Sequence, residues 1–472
     1  MFWFFFSVVL LLAGYFIYGK IVDTVFGPNP NRKTPAIEMA DGVDYVAMSD
    51  KKIFLVQLLN IAGLGPVFGP ILGALYGPSA LLWIVAGSIF GGAVHDYFSG
   101  MLSMRSKGAS LPIVVGNELG QFAKHFMNLF AVVLLMLVGV VFVLGPSELL
   151  ANMMNVQVGW WVGAIFLYYI FATIVPIDKI IGRFYPFFGA LLIFMSIGLM
   201  VGLIVSDYNF YNQGLNLFSN LHPKDLPLWP LLFITIACGA VSGFHSTQSP
   251  LMARCIRNER SGRFIFYGAM IGEGIIALIW CTLGLSFYQD TTALNATIAE
   301  GGPAAVVHDV SVALLGGFGG ILAILGVVIL PITSGDTAFR SARLIVADFL
   351  KLSQKALMNR LWIAIPMFIV GYLITLAEFG VIWRYFGWAN QTTAMIMLWA
   401  GAAYLAKEGK FHWICTLPAA FMTAVTFTYI AQATIGFNLP LSIATPLGIA
   451  ITILALIAFW LKFKGPYAQA RL

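Results

Sequence analysis

Five ionisable residues that could hold a proton or an ion occur within strongly apolar stretches of this sequence. They are His95, Asp96, His245, Glu273 and Asp336. Ionisable side chains in such stretches are energetically unfavourable and are functional candidates by default, and imidazole changes its charge near neutral pH. We predict that His245 contacts a ligand carboxylate or carries a proton, and that the other four take part in proton coupling. The alternative for each is a structural hydrogen bond or ion pair.

A second group of oxygen-bearing residues follows Pro331. It consists of Thr333, Ser334, Asp336 and Thr337. Hydroxyl and carboxylate oxygens suit hard cations, so this stretch is a candidate sodium site with Na⁺ as a coupling ion; no other cofactor is expected. Asp336 and Arg340 are also spaced i,i+4 and could simply pair. The sequence therefore leaves sodium coupling and proton coupling both open.

Two stretches rich in glycine and proline, at 60–70 and 238–250, interrupt apolar segments. Proline removes a backbone donor and glycine lets the chain leave helical geometry. Backbone groups freed at membrane depth are tolerated only where they line a cavity or bind something, although a packing kink without a ligand is the alternative. We predict a substrate cavity lined by Asn60, Gly63, Gly65, Pro66, Gly69, Ser242, Gly243, His245, Asn390 and Gln391.

The composition indicates an integral membrane protein that is entirely α-helical. Of the 472 residues, 60% are apolar and 10% are charged, whereas soluble domains contain about 45–50% apolar and about 25% charged residues. Apolar runs of about 20 residues recur, which is long enough to span a bilayer as a helix. We also predict a short helix outside the membrane at 304–315. Thirteen transmembrane helices are predicted near 2–18, 53–76, 79–103, 127–145, 160–175, 184–206, 229–247, 263–287, 319–350, 360–379, 388–405, 412–433 and 443–462.

The distribution of lysine and arginine predicts the orientation in the membrane. If the loops alternate, only Lys224 and Arg384 fall on one side, and the other basic residues fall on the opposite side. Because basic residues concentrate in cytoplasmic loops, we predict the N-terminus outside and the C-terminus in the cytoplasm. The same distribution explains the net charge of +6 without a nucleic-acid partner.

The two interrupted spans are five helices apart in this prediction, so they cross the membrane in opposite directions. Paired interruptions at matching positions of two halves indicate a transporter built from inverted repeats. We predict repeats over 53–206 and 229–405, joined by an extracellular loop at 207–228. An extra helix and a cytoplasmic loop over 1–52 precede them, and two helices in 406–472 follow. By analogy of pattern, this is the five-plus-five arrangement of LeuT-type transporters.

Several motifs together carry a family resemblance. They occupy 34–36 with 41–46, 60–70, 91–96, 242–246, 336–340 and 386–391. In these motifs the chain resembles the carbon starvation protein A family of bacterial inner-membrane transporters, in a short form. The resemblance implies uptake of peptides or of pyruvate when carbon is scarce. One departure is that Val56 and Gln57 stand where family members often have a His-His pair.

An ion channel, a membrane sensor and an enzyme fit the sequence less well than a transporter does. An ion channel usually shows a filter-like ring of residues, and a membrane sensor of nutrient state usually carries a soluble domain; the sequence shows neither. It also has no Walker motif and no clustered catalytic set, so we expect no enzymatic activity. We therefore favour a symporter in the lipid bilayer, driven by a sodium or proton gradient. The cysteines have no metal or redox spacing, and we interpret them as small apolar packing residues.

Overall fold

The computed structural model describes residues 2–42, 45–174, 177–206, 208, 218–354 and 356–463, and for 177–186 it gives the course of the helix alone. All regular structure in this part of the chain is helical. Apart from the single turn Pro35–Glu38, the helices are α1 (Phe2–Phe26), α2 (Asp50–Ile61), α3 (Gly65–Ala74), α4 (Ser79–Arg105), α5 (Leu111–Leu119), α6 (Gln121–Met154), α7 (Val158–Ile174), α8 (Ile177–Val205), α9 (Leu228–Thr235), α10 (His245–Ala253), α11 (Glu259–Phe287), α12 (Thr291–Leu350), α13 (Leu357–Ile374), α14 (Phe379–Lys407), α15 (Trp413–Gln432) and α16 (Leu441–Phe463).

The helices confirm a multi-pass membrane protein, but not the predicted number of spans. Among the described residues, nine helices are long and apolar enough to cross a membrane, or ten if α2 and α3 count as one bent span. The α7 helix has 17 residues, and α9 and α10 are single short pieces on either side of an interruption. By length and composition alone, α7, α9 and α10 therefore do not qualify as membrane spans.

The first predicted interruption separates α2 from α3, whose axes meet at 50°. The α2 helix ends at Ile61, and α3 begins at Gly65 with Pro66 in its first turn. Proline is well tolerated there because the first backbone donors of a helix have no intrahelical acceptor. The proline that interrupts one helix therefore also starts the next.

The second predicted interruption is confirmed, but the predicted end of this element at 247 is wrong. The α9 helix ends at Thr235, residues 236–244 form no regular helix, and α10 then continues to Ala253. Gly239 has a φ of +86°, a conformation that side-chain-bearing residues rarely adopt. Hydropathy misplaced this element because the half-helix after the break, which starts His245-Ser-Thr-Gln-Ser, is polar.

The α12 segment changes direction twice, at Gly302 and at Gly316. Both glycines have positive φ values, of 68° and 66°. They enclose the stretch for which a short separate helix was predicted at 304–315. The part of α12 after Gly316 packs closely on α6 and α7, with Phe339 against Gly139 and Gly335 against Tyr169.

Small residues allow the two interrupted regions to pack directly on each other. A Cβ atom at Gly65 would overlap the side chain of Cys238, and one at Gly69 would lie 3.1 Å from the carbonyl oxygen of Thr235. A Cβ at Gly92 in α4 would overlap the carbonyl oxygen of Ala240. Close approach through small residues is typical of helix packing in membranes. Here it brings α3 and α4 against the unwound segment.

We expect Gly92→Ala to lower the midpoint of thermal unfolding in detergent. The added methyl group meets a backbone oxygen that cannot move independently, and overpacking of this kind costs about 1–3 kcal/mol. Gly163→Ala in α7 is the control, because a Cβ there meets nothing within 4 Å and alanine favours the helix by up to ~1 kcal/mol. Equal midpoints for the two variants would contradict the close packing at Ala240.

Candidate functional site

Four ionisable side chains form a continuous chain of contacts at the centre of the bundle. The Nδ1 atom of His95 lies 2.8 Å from Oδ1 of Asp96, and Nδ1 of His245 lies 2.9 Å from Oδ2 of the same carboxylate. The Nε2 atom of His245 lies 3.3 Å from Oε2 of Glu273. All four side chains have 0% exposure. The structure thus brings together four of the five ionisable residues that the sequence singled out.

Three elements position this cluster. His95 and Asp96 follow a π-helical turn, Gly87–Gly92, inside α4, and such turns occur frequently at functional sites. His245 is the first residue of α10 after the second interruption, and Glu273 lies on α11. The cluster therefore spans a long helix, a half-helix and a second long helix, and it connects all three.

Hydrogen-bond donors and acceptors restrict where protons lie in the cluster. Ionised Asp96 accepts at both oxygens, so each histidine presents Nδ1–H to it. In neutral His245, Nε2 is then an acceptor, so its contact with Glu273 is favourable only if the Glu273 carboxyl group is protonated. The other possibility is that both His245 nitrogens are protonated, and the contact is then an ion pair between the imidazolium and the Glu273 carboxylate. Either way, one proton lies between His245 and Glu273, and these two residues can exchange it.

Side chains from neighbouring helices bind the backbone of the unwound segment. The Oδ1 atom of Asn390 accepts from the Phe244 backbone N–H at 2.7 Å and from the Ser242 hydroxyl at 3.2 Å. Gln391 donates through Nε2 to the Phe233 carbonyl at 3.1 Å. We predicted both amides as cavity-lining residues, and here they satisfy backbone and hydroxyl groups of the second interruption, which water cannot reach.

Two further residues with the same role were missed in the sequence. Trp83 donates through Nε1 to the Ile236 carbonyl at 3.2 Å, and Ser88 donates to the Gly239 carbonyl at 2.9 Å. Both lie on α4: Trp83 is one turn before the π-helical turn, and Ser88 lies inside it. A serine between the glycines of that turn was the only local signal, since a tryptophan in a membrane helix is ordinary.

The residues predicted at the first interruption are buried among neighbouring helices. A Cβ at Gly63 would lie 2.7 Å from the Phe142 ring, and Gly65 and Gly69 face the second interruption as described above. Pro66 is buried in the first turn of α3, and Asn60 is 2% exposed in the last turn of α2. In this conformation these positions serve close packing, and their part in substrate binding stays a prediction.

The four residues of the predicted sodium site separate into two groups. Thr333 and Thr337 donate to carbonyls of their own helix, while the Ser334 hydroxyl lies 3.4 Å from the Leu59 carbonyl beside the first interruption. Asp336 instead pairs with Arg340, with 3.4 Å between Oδ2 and Nη2. The structure therefore places Asp336 in the i,i+4 pair that was its alternative, apart from the central cluster.

Cys238 was interpreted as a packing residue, but it lies beside the cluster. Its sulfur, a ring nitrogen of His245 and a carboxylate oxygen of Glu273 lie within 4.8 Å of one another. The Sγ atom also lies 3.2 Å from the Ser242 hydroxyl. Spacing along the chain gave no signal, because Glu273 comes from a different helix and His245 lies beyond the unwound segment.

Comparison with known proteins identifies relatives along nearly the whole chain. A family model described as carbon starvation protein CstA matches residues 1–152, 131–313 and 284–429. The chain is 52% identical over 352 residues to a membrane protein of Haemophilus influenzae, covering 64% of this chain and 95% of that one. It is 27% identical over 545 residues to the peptide transporter CstA of Bacillus subtilis, covering 90% and 88%. It is 28% identical over 340 residues to the pyruvate/proton symporter BtsT of Escherichia coli, covering 58% and 47%.

Solved structures share the fold at low sequence identity. A mutant of the manganese transporter of Eremococcus coleocola matches with a TM-score of 0.56 and 11% identity, covering 87% of this chain and 92% of that one. The same transporter in complex with an aromatic bis-isothiourea compound matches with a TM-score of 0.54 and 12% identity, covering 89% and 96%. The named relatives and these structural neighbours are transporters, not enzymes.

We expect Asn390→Leu to destabilise the folded protein by about 1–3 kcal/mol, because it leaves the buried Phe244 N–H without an acceptor. Thr392→Val on the same helix is the control, since the Thr392 hydroxyl only donates to the Trp388 carbonyl of its own helix. The measurement is thermal unfolding of both purified variants in the same detergent. If Asn390→Leu unfolds no earlier than Thr392→Val, the amide is not needed to hold the unwound segment.

Proposed function

Because the chain belongs to the carbon starvation protein CstA family, we propose that it is a proton-coupled symporter for peptides or for a small carboxylate such as pyruvate. The observation that carries this proposal is the buried chain of His95, Asp96, His245 and Glu273. Buried ionisable chains of this kind mark proton relays in pumps and transporters. The names of the relatives support both substrate classes, since they include peptide transporters and a pyruvate/proton symporter.

The relay offers a direct link between a proton and the position of a half-helix. His245 begins α10, so a change in the charge of His245 or Glu273 changes the attraction between α10 and its neighbours α4 and α11. Burial makes such changes larger than they would be in water. Protonation on one side of the membrane and release on the other would then accompany the movement of the interrupted segments.

The substrate is proposed to bind where the interrupted helices meet. The N-terminus of a half-helix carries a partial positive charge, which favours an anion. The α3 helix begins at Gly65 and α10 begins at His245, and both starts lie at the crossing of the two interruptions. A carboxylate is the group that peptides and pyruvate have in common, and it matches this environment.

Sodium coupling is a second candidate, favoured by one contact. The Ser334 hydroxyl faces the Leu59 carbonyl at 3.4 Å, which pairs a side-chain oxygen of α12 with a backbone oxygen at the end of α2. Hydroxyl and carbonyl oxygens are ligands that a hard cation takes. In this alternative, Na⁺ bridges α12 and the first interruption, and Asp336 stays paired with Arg340.

The membrane topology proposed from the sequence includes thirteen spans, two inverted five-helix repeats and a cytoplasmic C-terminus in a bacterial inner membrane. Contacts among the basic loops support the orientation. Glu259 is 1% exposed and lies 3.1 Å from Arg105 and 3.5 Å from Arg32, and Arg105 also donates to the carbonyl of Gly27. Basic residues from separate parts of the chain thus gather on one face, as expected for the cytoplasmic side.

We expect proteoliposomes containing the protein to accumulate labelled pyruvate or dipeptides when an inward proton gradient is imposed. Glu273→Gln should reduce this accumulation at least about tenfold, because it removes a group that exchanges the proton, while exchange of labelled for unlabelled substrate without a gradient continues. The control is Asp309→Asn, which alters an exposed His-Asp pair with a separation of 3.2 Å. Full accumulation by Glu273→Gln would show that the cluster does not couple transport.

The sodium alternative makes a different prediction. If Na⁺ binds at Ser334, a sodium gradient drives uptake without a proton gradient, and Ser334→Ala raises the sodium concentration for half-maximal uptake at least about tenfold through loss of one ligand oxygen. Thr333→Val is the matched control, because the Thr333 hydroxyl donates to the Leu330 carbonyl of its own helix. Uptake that is indifferent to sodium in the unaltered protein excludes this alternative.

A further inference from the structure

We propose that Cys238, His245 and Glu273 form a binding site for a divalent transition-metal ion of the Zn²⁺ type. The three donor atoms are a thiol sulfur, an imidazole nitrogen and a carboxylate oxygen, and they lie within 4.8 Å of one another. His245 and Glu273 have 0% exposure and Cys238 has 3%. The site goes beyond proton-coupled transport, and it uses a residue that the transport proposal does not need.

The first argument is that the facing atoms of His245 and Glu273 lack aligned hydrogen bonds. Nε2 of His245 and Oε2 of Glu273 face each other at 3.3 Å, but neither these atoms nor Oε1 of Glu273 makes a well-aligned hydrogen bond within the described residues. Buried polar atoms normally make well-aligned hydrogen bonds, so this poorly aligned contact suits a cation held between the two groups. A cation between them satisfies the nitrogen and one carboxylate oxygen.

The second argument is the separation of these atoms. Nε2 of His245 and Oε2 of Glu273 lie 3.3 Å apart. Bonds of about 2.0–2.2 Å from Zn²⁺ to nitrogen and oxygen in a tetrahedral site place the two ligand atoms about 3.4 Å apart. The imidazole and carboxylate are therefore already spaced for metal ligation. The sulfur reaches its place by an adjustment of about 1 Å, since Zn–S bonds are about 2.3 Å.

The third argument concerns the groups behind the ligands. Histidines that bind metals through one nitrogen usually donate the other N–H to a carboxylate, which fixes the ring. His245 does this through Nδ1, 2.9 Å from Asp96, and His95 contacts the other oxygen of that carboxylate. The sulfur of Cys238 lies 3.2 Å from the Ser242 hydroxyl and 3.5 Å from Nδ2 of Asn390. The Asn390 amide can donate to a thiolate directly, and the Ser242 hydroxyl can do so if it turns its proton away from Oδ1 of Asn390.

The donor types select the metal. Thiolate and imidazole favour Zn²⁺ and Co²⁺ over Mg²⁺, and Mn²⁺ binds most weakly in the general order of divalent metals. Three protein ligands leave a fourth tetrahedral position open, as in zinc sites that bind water or a substrate. Because Cys238 belongs to the unwound segment, a bound ion would fix that segment to α10 and α11. Metal and proton would compete for the same two atoms of His245 and Glu273.

The test is Co²⁺ binding to the purified, tag-free protein in detergent, followed by absorption spectroscopy and equilibrium dialysis. We expect one equivalent of Co²⁺ with a thiolate-to-metal charge-transfer band, displaced by Zn²⁺ but not by equal Mn²⁺ or Mg²⁺. Cys238→Ser should remove the band, and Glu273→Gln should weaken Zn²⁺ binding at least about tenfold, the lower bound seen even for outer-shell changes. Cys281→Ser, another buried free cysteine, and His308→Ala, an exposed histidine, should leave both unchanged.

Several results would overturn the proposal. One is a protein that retains no Co²⁺ after dialysis, and another is a charge-transfer band that survives Cys238→Ser. If His308→Ala loses binding while Glu273→Gln binds normally, the metal is bound at the surface and not at the proposed site. If Cys238→Ser does not fold, the band in the unaltered protein and the effect of Glu273→Gln decide the question. No transport assay is involved, so failure of metal binding leaves the proton-coupling proposal standing.

Discussion

The carboxylate of Asp96 is the group around which the centre of this protein is organised. It is fully buried and lies within hydrogen-bond distance of two imidazoles, from His95 and His245. Moving a charge from water into a protein interior costs on the order of several kcal/mol per ion, even after relaxation. An isolated carboxylate here would therefore be strongly unfavourable. The pairing with His245 therefore requires that α10 begin next to α4, and the unwound segment before it makes that start possible.

That unwound segment creates a second requirement, because its backbone groups lie where water does not reach. Asn390, Gln391, Trp83 and Ser88 supply the donors and acceptors that a helix would have supplied internally. These side chains come from α4 and α14, so the second interruption is held from both sides. An interruption held by side chains can change partners when those helices move, whereas a continuous helix cannot. This property is what alternating access requires of a broken helix.

The sequence predicted the membrane class, both interruptions and each of the four ionisable residues as functional candidates. It did not predict that these four touch, because Asp96 and His245 are separated by 149 positions and their contact depends on where α10 begins. The position of Cys238 beside His245 and Glu273 was not predicted for the same reason, although its packing against Gly65 agrees with the role expected of it. The end of α10 was misplaced because polar residues such as Ser246 and Gln248 lower hydropathy inside a buried half-helix. Local patterns thus identify chemistry, while contacts between distant segments decide how it is assembled.

The site at His245 and Glu273 has one position that a proton or a metal ion can occupy, and the two occupants act differently on the fold. A proton shared by these residues joins α10 to α11 alone. A metal ion that also binds Cys238 joins α10 and α11 to the unwound segment, which packs on Gly65 of α3. The proton leaves the unwound segment free to move relative to α10 and α11, whereas the metal ion fixes it to them. Proton occupancy is therefore compatible with movement through a transport cycle, and metal occupancy favours the one arrangement in which the three ligands lie together.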